Sequence, residues 1–245
     1  IMNLKIALCL SGEPRSTMFC YPYIYENLIQ KYSTDVYIHS WRPFRALDLY
    51  NPIKFSIEPE EEFLSLEYFK SFPYPDKIKE FKNEVHEYSK SSNLFLNCFK
   101  MLLSIEKCFK LIENPSKYDV IIRCRLDVMF RHPGWFDNLL KNIVENKNDI
   151  ILPWGGLDPY QYGDTFAVGN SKSMGLYSKM MTNLPTIAES LEIWHGEHIL
   201  GKTLEFHKLK VDANIGIPIQ IVRHSNIITD GSPSFKTNKF KFYNE

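Results

Sequence analysis

Long apolar runs are missing from this 245-residue sequence. No stretch approaches the roughly 18 consecutive apolar residues of a membrane span, and the first residues lead into a short strand pattern instead of a leader-type apolar region. The expectation is a soluble, cytoplasmic protein without a transmembrane segment. An excess of one charge is missing too. The 29 basic residues balance 29 acidic ones, so there is no broad electropositive field for a nucleic-acid backbone or an anionic membrane, and nucleic acid is not an expected partner. Paired cysteines are also absent. Cys9, Cys20, Cys98, Cys108 and Cys124 are odd in number, form no C-x-x-C and sit mostly in apolar segments, which predicts buried thiols in a reducing compartment. There is no H-E-x-x-H or Cys/His spacing that argues for zinc, no internal repeat and no low-complexity linker.

What is present is enough chain for one large α/β domain, burying roughly three quarters of its unfolded surface. Aromatic residues make up 14%, including 14 Tyr and 17 Phe, which suits core packing and equally suits stacking on a sugar or a base. Lys5–Leu10 is a continuous apolar run that empties into Ser11-Gly-Glu-Pro-Arg15, the pattern of a buried parallel strand with a loop at its carboxyl end. In open α/β sheets that end is where ligands bind. A helical stretch over Tyr21–Lys31 and a strand over Asp35–Ser40 complete one strand–helix–strand unit. The proline-punctuated stretch 43–92 reads as an exposed insertion with a short strand at Lys54–Ile57. From Asn93 to Ile112 the apolar spacing predicts a long helix. A strand over Tyr118–Phe130, a helix over Trp135–Asn146 and strands at Asp149–Pro153 and Asp164–Gly169 follow. A helix from Ser171 toward Glu189, another over Glu197–Lys208 and a last strand at Ile217–Arg223 complete the pattern.

Charges inside a buried strand need a reason. In Tyr118–Phe130, Arg123, Arg125 and Asp127 alternate, so an extended strand projects all three from one face. Two guanidiniums and a carboxylate at a strand end are an arrangement for a diphosphate and a hard cation such as Mg²⁺ or Mn²⁺. An internal Arg–Asp ion pair is the structural alternative.

Taken together, Ser11–Arg15 after a first strand, Asp35-Val-Tyr-Ile-His-Ser-Trp41 and Tyr118–Asp127 resemble GT-A-fold glycosyltransferases, in particular small transferases of bacterial surface polysaccharides and large-DNA-virus glycans. The resemblance covers residues 4–225. It implies a single GT-A-like, Rossmann-related domain over 1–245, with a mixed central sheet and helices on both faces. Residues 4–130 would be its nucleotide-sugar half and 131–245 its acceptor half. It implies a nucleoside-diphosphate sugar as donor, a glycan or glycoconjugate acceptor and a divalent metal (Mn²⁺ or Mg²⁺). The metal's Asp-x-Asp position is taken here by Arg125-Leu126-Asp127. On this likeness Ser11, Gly12, Arg15, Arg123 and Arg125 contact the nucleotide and its phosphates, while Asp127 and His224 hold the metal. Asp164 binds the sugar, with Trp154 or Tyr160 stacking on its ring, and Glu197, in Trp194-His195-Gly196-Glu197-His198, is the base for an inverting displacement. Glu197 has a structural alternative, since a carboxylate is favourable at a helix N-terminus. Of His195, His198, His207 and His224, each able to supply a metal ligand, most read as surface residues. The rival functions are a nucleotidyltransferase making nucleotide sugars, which a Gly-rich first loop with a following Lys would favour, and a non-catalytic carbohydrate-binding domain.

Overall fold

The structure, a computed structural model, describes residues 4–59, 94–131, 134–154, 162–191, 195–213, 217–222 and 228–230; of 94–96 and 228–230 it describes the backbone alone. Its frame is a seven-stranded sheet made of β1 (Ile6–Ser11), β2 (Asp35–Ser40), β3 (Lys54–Ile57), β4 (Val120–Arg125), β6 (Ile150–Ile151), β7 (Phe166–Gly169) and β8 (Val211–Asp212), in the order β3-β2-β1-β4-β7-β6-β8. All run parallel except β7, which is antiparallel to both its neighbours. From β1 the chain moves outward through β2 and β3, then returns to the other side of β1 as β4. The chain therefore leaves the adjacent strands β1 and β4 toward opposite sides of the sheet at their carboxyl ends, where Ser11 is paired in register with Arg125.

The unbroken apolar run of β1 follows from burial on both faces. Ile6, Leu8 and Leu10 enter one core with Cys20, Ile24, Leu28 and Phe136, whereas Ala7 and Cys9 enter the other with Phe99, Leu102, Tyr177 and Ile199. Helix α1 (Thr17–Ile24), its π-helical continuation Tyr25–Gln30, the short α2 (Leu47–Tyr50) and α4 (Phe136–Val144) supply the first layer. The second layer is α3 (Leu94–Lys110), α5 (Ser171–Ser178), α6 (Met180–Ile187) and α7 (Gly196–Phe206). The expected mixed sheet with helices on both faces is thus present. Among the described residues no helix is long and apolar enough to cross a membrane, and all five cysteines are free.

Two expectations are corrected. The strand predicted over Tyr118–Phe130 is two strands: β4 stops at Arg125, Leu126 and Asp127 form a turn, and β5 (Val128–Phe130) joins a separate three-stranded sheet with β9 (Ile219–Val222) and β10 (Ile228–Asp230). Asp127 is therefore off the extended strand that would have aligned it with Arg123 and Arg125. The helix predicted from Ser171 toward Glu189 is α5 and α6, divided at Lys179, whose φ of −82° and ψ of 21° leave the helical region. Residues 60–93, most of the predicted insertion, lie outside the described residues.

Candidate functional site

The sheet's topology brings the predicted site residues to one edge. Ser11 and Arg125 end β1 and β4. Because β7 runs backwards, its amino end, and Asp164 two residues before it, lie at the same edge, and the Arg125 N–H donates to the Thr165 carbonyl at 3.2 Å. Trp154 follows β6 at that edge, and the Gly163 N–H donates to its carbonyl at 2.8 Å. Glu197 arrives on the first turn of α7.

Gly12 leaves β1 with φ of +119°, a conformation that side-chain-bearing residues rarely adopt. Its N–H donates to His39 O at 3.3 Å, and Arg15 lies three residues further along the same loop, its N–H bonded to Glu13 O at 3.0 Å. The loop is tied sideways by Arg42, whose Nε donates to Glu13 Oε2 at 2.9 Å. His39, at the end of β2, is fully buried; its Nδ1 meets Ser104 Oγ at 2.7 Å and its Nε2 faces Glu58 at 3.4 Å.

Arg123 and Arg125 differ sharply in role. Arg123 is 1% exposed. Its Nε donates to Ser11 Oγ at 3.3 Å and its Nη1 to the Asp164 carbonyl. It therefore ties together two strand ends that the site needs. Its Nη2 and the nearby Tyr177 hydroxyl are buried without a hydrogen-bond partner among the described residues. Burial pushes the Tyr177 hydroxyl up to about 12, against the pull of the Arg123 charge. Arg125 is gripped by Asp127 instead: Nε donates to Oδ1 at 2.7 Å and Nη2 to Oδ2 at 2.8 Å, the fork geometry of a strong charge-assisted pair. Burial alone would lower the Arg125 pKa. The charge and hydrogen bonds of Asp127, with the charge of Asp164, more than reverse that, so the guanidinium stays ionised.

The second part of the site is acidic. Asp164 Oδ2 lies 3.6 Å from the point where a Cβ on Gly196 would sit, and Cys98 Sγ lies 3.3 Å from it, so the bare Gly196 lets α3, α7 and the approach to β7 converge. Burial, followed by the charge of Asp164, raises the Glu197 carboxyl to about 7. The Cys98 thiol is raised by burial and by both carboxylates. Ahead of Glu197, the side chain of His195 caps α7 by accepting the Glu197 N–H at Nδ1, 3.4 Å away. Burial lowers its pKa, which Asp164 partly offsets.

Of the expected metal ligands, Asp127 alone lies among the described residues. A hard divalent cation takes several unencumbered oxygens. Both oxygens of Asp127 are engaged by Arg125, and the residue is 1% exposed. Among the described residues no group of three or more His, Cys, Asp or Glu side chains is arranged to hold a metal. His224 lies outside the described residues, as do Tyr160 and Trp194. The residues present do not fit the cation that the resemblance implies.

Sequence reading missed the role of His195, although a polar residue directly before a helix start was the signal. It missed Tyr177 and Cys98, which sit in stretches whose spacing reads only as core. It read most of the histidines as surface residues, and His198 is buried. A separate cleft of about 770 Å³ opens at the opposite, amino-terminal edge of the sheet among Lys5, Lys31, Lys117, Asp137 and Lys141. Lys31 is already paired there with Asp137, and Lys117 with Asp35. Compared with protein-family models and with curated proteins, the chain matches none.

Proposed function

We propose that this protein is a GT-A-like glycosyltransferase that moves a sugar from a nucleoside-diphosphate donor to a hydroxyl of a glycan acceptor. The observation that carries the reading is Glu197: a half-buried carboxyl raised to about 7, on the first turn of α7 beside Asp164, at the edge of the sheet where β1 and β4 end. A proton acceptor works best when its pKa lies near the working pH. In the step proposed, the acceptor oxygen bonds to the anomeric carbon as its proton passes to Glu197, and the bond from that carbon to the diphosphate breaks with inversion. Asp164 is the group for the sugar hydroxyls, and Trp154 offers an aromatic face beside it. Ser11, Gly12, Arg15 and Arg125 surround the diphosphate, supported from below by Arg123. The position agrees with the general rule that ligands of open α/β sheets bind outside the carboxyl ends of the strands at a topological switch point.

The test is thermal unfolding with UDP, GDP, CDP and dTDP. A ligand that binds only the native state stabilises it by about 2.7 kcal/mol at a hundredfold excess over Kd. At least one of the four should raise Tm. Four unmoved melting curves, with and without Mn²⁺, would remove the donor site.

A further inference from the structure

We infer that the positive charge facing the donor's diphosphate is one the protein carries, the Arg125 guanidinium held by Asp127, and that nucleoside diphosphate binding needs no divalent metal. The inference rests on the donor reading above and departs from the metal dependence that the GT-A resemblance implies. Three observations carry it. First, the one carboxylate at the end of β4 is already spent: Asp127 accepts from both Nε and Nη2 of Arg125, at 2.7 and 2.8 Å. A cation would have to enter around a side chain that is 1% exposed and compete with a guanidinium already bonded to both oxygens, and displacing that guanidinium would leave an uncompensated charge.

Second, the grip leaves a donor over. With Nε and Nη2 occupied, Nη1 of Arg125 has no partner among the described residues, and the side chain is 17% exposed at the edge of the sheet. A planar guanidinium fixed by a carboxylate on one side presents its remaining N–H groups in a set direction, which suits a phosphate oxygen. Third, the positive charge is reinforced from beneath. Arg123, 1% exposed, has no carboxylate within ion-pair distance among the described residues, and its Nε reaches Ser11, the register partner of Arg125. Buried charge is normally compensated. Here the compensating group would be the anion that enters above Ser11 and Arg125.

The experiment is a calorimetric titration with UDP, GDP, CDP and dTDP, once in EDTA and once in Mn²⁺. The expected result is binding of the preferred nucleotide with an affinity that differs by less than about threefold between the two conditions. Binding seen only with Mn²⁺ overturns the inference and leaves the transferase reading standing, whereas no binding in either condition removes both. The double substitution Arg125→Gln with Asp127→Asn takes the pair out together and leaves no buried charge unpaired, so it is the variant suited to remain folded. Its affinity in EDTA should fall about tenfold or more, with Arg125→Lys in between. Unchanged affinity in a folded double variant also overturns the inference.

Discussion

Glu197 sits where two physical effects oppose each other. On the first turn of α7 its negative form is favoured by the helix dipole, yet burial and Asp164 raise its pKa to about 7. The folded-state value exceeds the ordinary 4.5, so the folded protein holds the proton more tightly. The stability this confers is fully present below 4.5 and is lost as pH rises through about 7. Glu197→Gln should therefore match the wild type in acid and become the more stable of the two above pH 7, as followed by urea unfolding. In the transfer reaction the same variant should lose about 10²- to 10⁴-fold in turnover. A variant less stable than wild type at pH 8 with normal turnover would assign Glu197 to helix capping alone. Both Glu197 and the Arg125–Asp127 pair were legible in the sequence, because charges at the ends of apolar segments stand out. An internal Arg–Asp ion pair was one of the two readings offered, but its geometry was not legible. The two-residue spacing of Arg125 and Asp127 reads as alternation along a strand, and only the turn at Leu126 folds one side chain onto the other.

At the scale of elements, β7 sets the position of Asp164, and β7 in turn depends on a residue without a side chain. A Cβ on Gly169 would lie 2.7 Å from the Asp149 carbonyl oxygen and 2.7 Å from Ser173 Oγ. The first of these is backbone and cannot swing away. Gly169→Ala should cost about 1–3 kcal/mol, lowering Tm by roughly 2–4 °C per kcal/mol in a protein of this size. A melting curve within 1 °C of wild type, by an order-of-magnitude criterion on that scale, would show that the strand relaxes freely. The strands β1, β2, β3 and β7 were readable from apolar runs and β-branched residues. The break between β4 and β5 was not, because Val128, Met129 and Phe130 are as buried in the small sheet as they would be in the large one. Periodicity reports burial, and here burial continues while the chain changes sheets.

The whole molecule should carry a second pH dependence, opposite in sign to that of Glu197. Burial lowers His39 to about 4, with Glu58 pulling upward and Lys107 downward. In the folded protein His39 is neutral, and its Nδ1 meets Ser104. Relative to the ordinary 6.5, its contribution is present above that value and is lost as pH falls toward about 4. The stability difference between wild type and His39→Gln should therefore widen in favour of the wild type between pH 4 and 6.5 and stay level above. A difference that does not vary with pH would mean that the site is not buried in this way.

The central claim is one of place: the donor sits at the carboxyl edge of β1 and β4. Amide chemical-shift mapping during a nucleoside diphosphate titration tests it most directly. The account predicts that the shifts concentrate at Ser11, Gly12, Arg15, Arg125 and Asp164. Shifts concentrated instead around Lys5, Lys117 and Lys141, at the amino-terminal cleft, would contradict it.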